Sequence, residues 1–193
     1  MKSVTVFCGA SSGSDEAYQQ DGIRMANLLA QKKIEVIFGG GKIGMMGIVA
    51  DAALQSGTAV RGVIPKFLQT KEVAHSGLTE MFVVKSMHER KALMHQLSDG
   101  VIALAGGFGT LDELFEILTW AQLGLHAKPI GLLNTKGYFN HLVAFIDHMV
   151  AEGFLSEINR SMLLVSDDPE ELLSMMESYI APDVPKWITD EQV

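Results

Sequence analysis

Short apolar runs alternate along the chain with longer stretches in which apolar residues recur at helical spacing. Residues 3–8, 34–38, 59–64, 80–84, 100–104, 129–133 and 161–165 are mainly apolar runs of strand length. Runs of that kind fit strands covered on both faces. Residues 14–32, 44–55, 87–97, 111–120, 138–151 and 169–180 read as helices. Ser14 is expected to cap the first helix, with Asp15 and Glu16 in its first turn. Gly57 ends the second helix, Pro65 stops the third strand and Pro169 opens the last helix. Residues 66–79 show no clean period and read as a mobile loop. Residues 181–193 carry two prolines and read as a tail, with Trp187 as the candidate to dock it. The alternation predicts an α/β fold: a three-layer, Rossmann-like parallel sheet with helices on both faces. It occupies one domain over residues 1–180, with no internal repeat or linker.

Ligands of such sheets bind beyond the carboxyl ends of the strands, where the strand order reverses. The glycine turns here follow strands and therefore fall on that edge. The densest is Leu104-Ala105-Gly106-Gly107-Phe108-Gly109-Thr110-Leu111-Asp112-Glu113. Glycines bring backbone close to a ligand, and the start of the following helix favours an anion. Thr110 is placed to cap that helix while still offering a hydroxyl. Glu113 is expected in the first turn, either as a dipole partner or as a group acting on whatever the anion belongs to.

Gly39-x-Gly41-x-x-Gly44 has the form of a dinucleotide fingerprint between a strand and a helix. The next strand ends Ile64-Pro65-Lys66, without the acidic residue an NAD site uses, and the fingerprint normally follows the first strand. Phosphate binding is therefore the better reading of Gly39, Gly40 and Gly41. Lys42 is followed by Ile43, and the early glycine of a Walker loop is missing. Gly9-x-Ser11-x-Gly13 has the form of a nucleophile elbow, but the sequence places no histidine as its partner. Ser11 and Ser12 are read as hydroxyl donors to a ligand or as helix caps, and Cys8 as a buried thiol. Ser86-Met87-His88-Glu89-Arg90-Lys91 opens a helix with two cations against its dipole. That is either a solvated helix start or a site for a compensating anion. His88 and His95 lack a close metal-ligand spacing, so no metal is assigned.

Bulk composition narrows the partners. The 193 residues carry a formal net charge of −8, which disfavours a nonspecific nucleic-acid or membrane-surface role. The single cysteine excludes an internal disulfide and a thiolate zinc cluster. The apolar run at residues 4–7 is too short for a signal-peptide core, and no run approaches a membrane span. A soluble, cytoplasmic protein is the expectation.

Together these turns resemble the LONELY GUY (LOG) family, cytokinin-activating phosphoribohydrolases once labelled lysine decarboxylases. The family's P-G-G-x-G-T-x-x-E is matched by residues 105–113, with Ala105 in place of the proline. That change removes a rigid φ constraint but no reactive group. An early C-G-S-S-like turn is matched by Cys8-Gly9-Ala10-Ser11, a G-G-G-x-x-G-x-M-G-like turn by residues 39–47, and M-x-x-R-K by residues 87–91. The resemblance implies hydrolysis of a nucleoside 5′-monophosphate at its N-glycosidic bond, giving free base and ribose 5-phosphate without a cofactor. It implies Arg90 and Glu113 as the catalytic pair. The matched turns then supply candidate substrate-binding residues: Gly9, Ser11, Gly39, Gly40, Gly41, Met87, Lys91, Gly106, Gly107, Gly109 and Thr110. Glu116, one turn after Glu113, is a possible second carboxylate. A homodimer is also implied, and apolar surface at residues 122–125 and on the Met-rich helices points the same way. Pyridoxal phosphate decarboxylation would need a Schiff-base lysine, and the sequence marks none. The same glycine turns would equally serve a noncatalytic carrier or sensor of a nucleotide or phosphorylated cofactor. The pairing of Arg90 with Glu113 favours the enzyme.

Overall fold

The computed structural model describes residues 1–69 and 73–184. Its strands are β1 (Ser3–Phe7), β2 (Glu35–Phe38), β3 (Val60–Pro65), β4 (Glu80–Val84), β5 (Gly100–Ala103), β6 (Ile130–Leu133) and β7 (Leu163–Ser166). They form one sheet in the order β4-β3-β2-β1-β5-β6-β7, and every neighbouring pair is parallel. The helices are α1 (Glu16–Gln31), α2 (Gly44–Gln55), α3 (Met87–Leu97), α4 (Phe108–Gln122), α5 (Asn140–Ala151), α6 (Glu157–Arg160) and α7 (Pro169–Glu177).

Burial explains the layering. Val4, Val36, Val60 and Ile102 face a core with Met25 and Leu29 of α1, Met45 and Val49 of α2 and Leu172 and Leu173 of α7. Ile37, Val63, Val101, Ala103, Ile130 and Leu132 face Met94 of α3, Leu114 and Ile117 of α4 and Ile146 of α5. Alternate residues of each inner strand thus serve opposite cores, which is why the strands read as continuous apolar runs. Buried Thr5 is satisfied by donating from Oγ1 to the Met94 carbonyl at 2.9 Å. No helix among the described residues is long and apolar enough to cross a membrane.

Several boundaries differ from the sequence expectation. Asp15, not Ser14, caps α1, its carboxylate accepting from the Ala17 N–H at 2.9 Å. Gly107 occupies the cap position of α4 without a side-chain bond, so Thr110 is an internal, buried residue rather than a cap. The helix begins at Phe108, which moves Glu113 from the first turn into the second. The turn before α5 is a 3₁₀ segment at Thr135–Gly137, and the short α6, capped by Ser156, was not foreseen. Within the expected loop at 66–79, Lys66–Leu68 is a 3₁₀ turn. The Lys42 N–H donates to Val73 O at 2.9 Å, and the His75 N–H donates to Gly40 O at 2.9 Å. The His75 ring then meets the Asp51 carboxylate at 2.9 Å. Trp187 lies outside the described residues.

The order of the strands places a topological switch between β1 and β5: the chain winds outward from β1 to β4, then returns to β1's other side. The turns that follow these two strands line the candidate site.

Candidate active site

The two turns are in contact. The Gly9 N–H donates to Ala105 O at 3.1 Å. A Cβ on Gly106 would lie 2.1 Å from Thr110 Oγ1 and 2.8 Å from Gly9 N, so only glycine lets the turns close on each other. Gly107 and Gly109 differ: a Cβ on either would meet nothing within 4 Å. They leave the start of α4 open, where first-turn N–H groups have no partner inside the helix.

A cavity of about 270 Å³ opens in front of that helix start. Gly9, Ala10, Gly39, Met87, Arg90, Gly107, Gly109, Thr110, Asp112 and Glu113 are among its lining residues, with Leu68 and Cys8. A second cavity of about 380 Å³, lined by residues 9–13, Tyr18, Met45, residues 105–107 and Tyr138, shares Gly9, Ala10 and Gly107 with the first. Tyr138 donates its hydroxyl to Gly106 O at 2.7 Å and meets Tyr18 edge-on at 5.6 Å between ring centroids.

Arg90 comes from α3. Ser86 caps that helix by accepting from the Glu89 N–H at 3.1 Å, and Glu89 returns to accept from the Lys85 N–H at 2.7 Å. This is close to a capping box, and it orders the turn that carries Met87 and Arg90. Arg90 is only 4% exposed, and its Nη2 donates to Gly39 O at 2.9 Å. A Cβ on Gly39 would sit 1.8 Å from Nη2, so this glycine exists to seat the guanidinium. Glu113 reaches the same cavity from α4. Both charges act on Cys8: burial pushes its thiol up most, Glu113 adds to that, and Arg90 opposes it. Cys8 therefore stays a neutral thiol, which removes it as a nucleophile at neutral pH.

The remaining sequence candidates separate by position. Ser11 and Gly106 line the second cavity. Gly40 and Gly41 are buried beneath the 73–75 segment, Gly41 bridging Ala74, and line neither cavity. Lys91 lines neither cavity: its Nζ sits 3.1 Å from Asp112 Oδ2 and 3.1 Å from Glu116 Oε2. Burial pulls the Lys91 ammonium down, but the bonds to Glu116 and Asp112 outweigh it and raise its pKa. Sequence reasoning did not single out Asp112, Tyr18 or Tyr138 as lining residues. Asp112 could have been found from its place beside Glu113; nothing in the sequence marks the two tyrosines.

At the switch point of a Rossmann-like sheet, the open start of α4 thus faces a cavity lined by a buried arginine and a carboxylate from two different helices. The family described as "Possible lysine decarboxylase" matches residues 46–176. The chain is 46% identical over 178 residues to the cytokinin riboside 5′-monophosphate phosphoribohydrolase LOG7 of Arabidopsis thaliana, covering 92% of this chain and 82% of that one. It is 45% identical over 179 residues to the probable cytokinin riboside 5′-monophosphate phosphoribohydrolase LOGL3 of Oryza sativa subsp. japonica, covering 93% and 85%. The chain belongs to this family, the LOG phosphoribohydrolases. The molybdenum cofactor carrier protein of Chlamydomonas reinhardtii superposes with a TM-score of 0.70 at 17% identity, over 91% of this chain and 95% of that one. That likeness is one of fold alone.

Proposed function

We propose that the protein hydrolyses the N-glycosidic bond of nucleoside 5′-monophosphates, cytokinin riboside monophosphates and AMP among them, to free base and ribose 5-phosphate. Residues 1–180 act as one catalytic domain of a cytoplasmic homodimer. The observation that carries the reading is the convergence of Arg90 and Glu113, from different helices, on one cavity in front of the open start of α4.

The reaction explains the parts. The C1′–N bond breaks with its electron pair leaving on the base, and positive charge builds on the ribose. Glu113 stabilises that charge or orients the water that adds to C1′. The water's proton is released and the departing base is protonated, so the balance is one water consumed. Arg90, held rigid by Gly39 and its helix, fixes phosphate or ribose oxygens by charge-assisted hydrogen bonds. The open N–H groups beside Gly107 and Gly109 take the 5′-phosphate. The test is a screen of AMP, isopentenyl-AMP and adenosine for ribose or ribose 5-phosphate release. Release from the two nucleotides with adenosine inert supports the reading; adenosine cleaved as fast as AMP defeats it.

A further inference from the structure

The Arg90 guanidinium is seated on a backbone carbonyl: its Nη2 donates to Gly39 O at 2.9 Å. Gly39, Gly40 and Gly41 have no side chains to hold that carbonyl in place, and glycine backbone has the most freedom to lose. The ties come instead from residues 73–75. The His75 N–H donates to Gly40 O at 2.9 Å, the Lys42 N–H donates to Val73 O at 2.9 Å, and Gly41 bridges Ala74. This segment does not keep its path unaided: Val73 sits at φ 48°, a left-handed conformation that is costly for a β-branched residue.

The His75 ring supplies the anchor. Its side chain is 4% exposed, and its Nε2 lies 2.9 Å from Asp51 Oδ1 on α2. The Gly77 N–H donates to Nδ1 at 3.1 Å, so the ring proton lies on Nε2 and the ring donates to Asp51. Both ring nitrogens are therefore used within the fold, and His75 lines neither cavity. We infer that His75 is a positioning residue for Arg90: its ring bolts the 73–77 segment to α2, and its backbone N–H then pins the glycine turn whose carbonyl seats the guanidinium. The path is bonded throughout, from Asp51 to the ring, from the His75 N–H to Gly40, along the chain to Gly39, and from Gly39 O to Nη2.

The inference rests on the hydrolase reading, and its test keeps the two apart. Kinetics with AMP, melting curves and amide hydrogen exchange at residues 39–42 are compared for the parent, His75→Ala, His75→Gln, Asp51→Ala, Arg90→Lys and the double variant His75→Ala/Arg90→Lys. His75→Ala is expected to lower kcat/KM about tenfold, and His75→Gln, whose amide nitrogen can take the place of Nε2, to stay within about threefold of the parent. Arg90→Lys has no Nη2 to seat, so adding His75→Ala to it changes kcat/KM by less than about twofold. Exchange of the Lys42 amide quickens in His75→Ala and in Asp51→Ala. An equal loss in both Arg90 backgrounds, or a lower melting temperature with kcat/KM unchanged, makes His75 a general structural bolt and overturns the inference. If Arg90→Lys shows no turnover, the same comparison is read from AMP affinity by calorimetry. If His75→Ala does not fold, Asp51→Ala decides, since that side chain is 51% exposed: parent-like kinetics and Lys42 exchange there reject the inference. A parent that releases no ribose 5-phosphate from AMP sinks the hydrolase reading alone; Lys42 exchange then decides the positioning role, and an unchanged rate in His75→Ala overturns it.

Discussion

Gly106 and Gly107 are neighbours in one motif, yet a methyl group has opposite consequences at the two positions. At Gly106 it strikes Thr110 and the Gly9 backbone; at Gly107 it enters open space, and the φ of −95° there suits any residue. Gly106→Ala is therefore expected to lower stability by roughly 1–3 kcal/mol through overpacking, read as a fall in the melting temperature. Gly107→Val should leave the melting curve within a few degrees while sharply weakening nucleotide binding by calorimetry, because the side chain occupies the anion's place. Glu113→Gln keeps shape and removes charge, and a positioned electrostatic group is worth about 10² to 10⁴ in rate. Its turnover of AMP should fall by that factor with binding and melting temperature nearly unchanged; full activity would return Glu113 to a structural role. Arg90 and Glu113 were legible as a candidate pair only through the resemblance of residues 87–91 and 105–113 to family motifs. The division of labour among glycines was not, since a glycine that seats Arg90, one that lets two turns touch and one that admits a ligand are the same letter.

At the scale of elements, period and breakers located nearly everything. The bounds of α2, α3 and β4 match the expectation residue for residue. Several misses are at helix starts, where competing polar residues hide the true cap; others are the unexpected α6, β7 at Leu163–Ser166 and the end of α7 at Glu177. Ser14 and Asp15 both suit a cap, and only the tertiary placement of the chain selects Asp15, which also pairs with Lys136. At α4 the cap is a glycine with no side chain to announce it, so Thr110 attracted the assignment. The loop over residues 40–42 was illegible for another reason: its ties are backbone bonds from Val73 and His75, which follow no side-chain pattern. The cap of α3 gives a direct test, since it orders the turn bearing Arg90. Ser86→Ala should cost about 1 kcal/mol by chemical denaturation, the usual value of a lost N-cap bond. Its catalytic loss should be smaller than that of Arg90→Ala, because Gly39 still seats the guanidinium.

Over the whole molecule, the α/β class and the sheet edge bearing the site followed from alternation alone, whereas the exposed surface did not. Of residues 122–125, Gln122 is exposed and Leu123, Gly124 and Leu125 are half-buried, Gly124 and Leu125 lining a cavity with Tyr179 and Pro182. Large apolar side chains on α4, α5 and the region of α6 are exposed: Phe115 36%, Phe145 55%, Phe154 89% and Ile158 54%. Exposed apolar surface of this kind suits a partner copy, so sedimentation at micromolar concentration should give a dimer that Phe115→Glu weakens; a monomeric parent would reject the homodimer. The opposite, amino-terminal edge of the sheet holds a device the fold uses for stability. His95 packs its ring 5.3 Å from Trp120 and 4.7 Å from His126, and Lys128 Nζ donates to His95 O at 2.5 Å. Burial first, then the charges of Lys128 and His126, pushes the His95 pKa down to about 3. His126 is lowered too, chiefly by burial and in part by Lys128, against its bond to Ile117 O. The unfolded chain takes up these protons near pH 6.5. The folded protein excludes them, so stability present above that pH is lost as pH falls from about 6.5 toward 3. One such proton shifts the melting temperature by no more than about 5 °C per pH unit, and partial exposure reduces that. Melting curves between pH 7 and pH 5, above the range where most carboxylates titrate, isolate the histidine contribution. The parent should lose several degrees across that interval, and His95→Gln, which has no proton to exclude, should show a flatter slope. Equal slopes in the two proteins would mean that His95 titrates normally and that its packing against Trp120 and Lys128 leaves its charge unopposed.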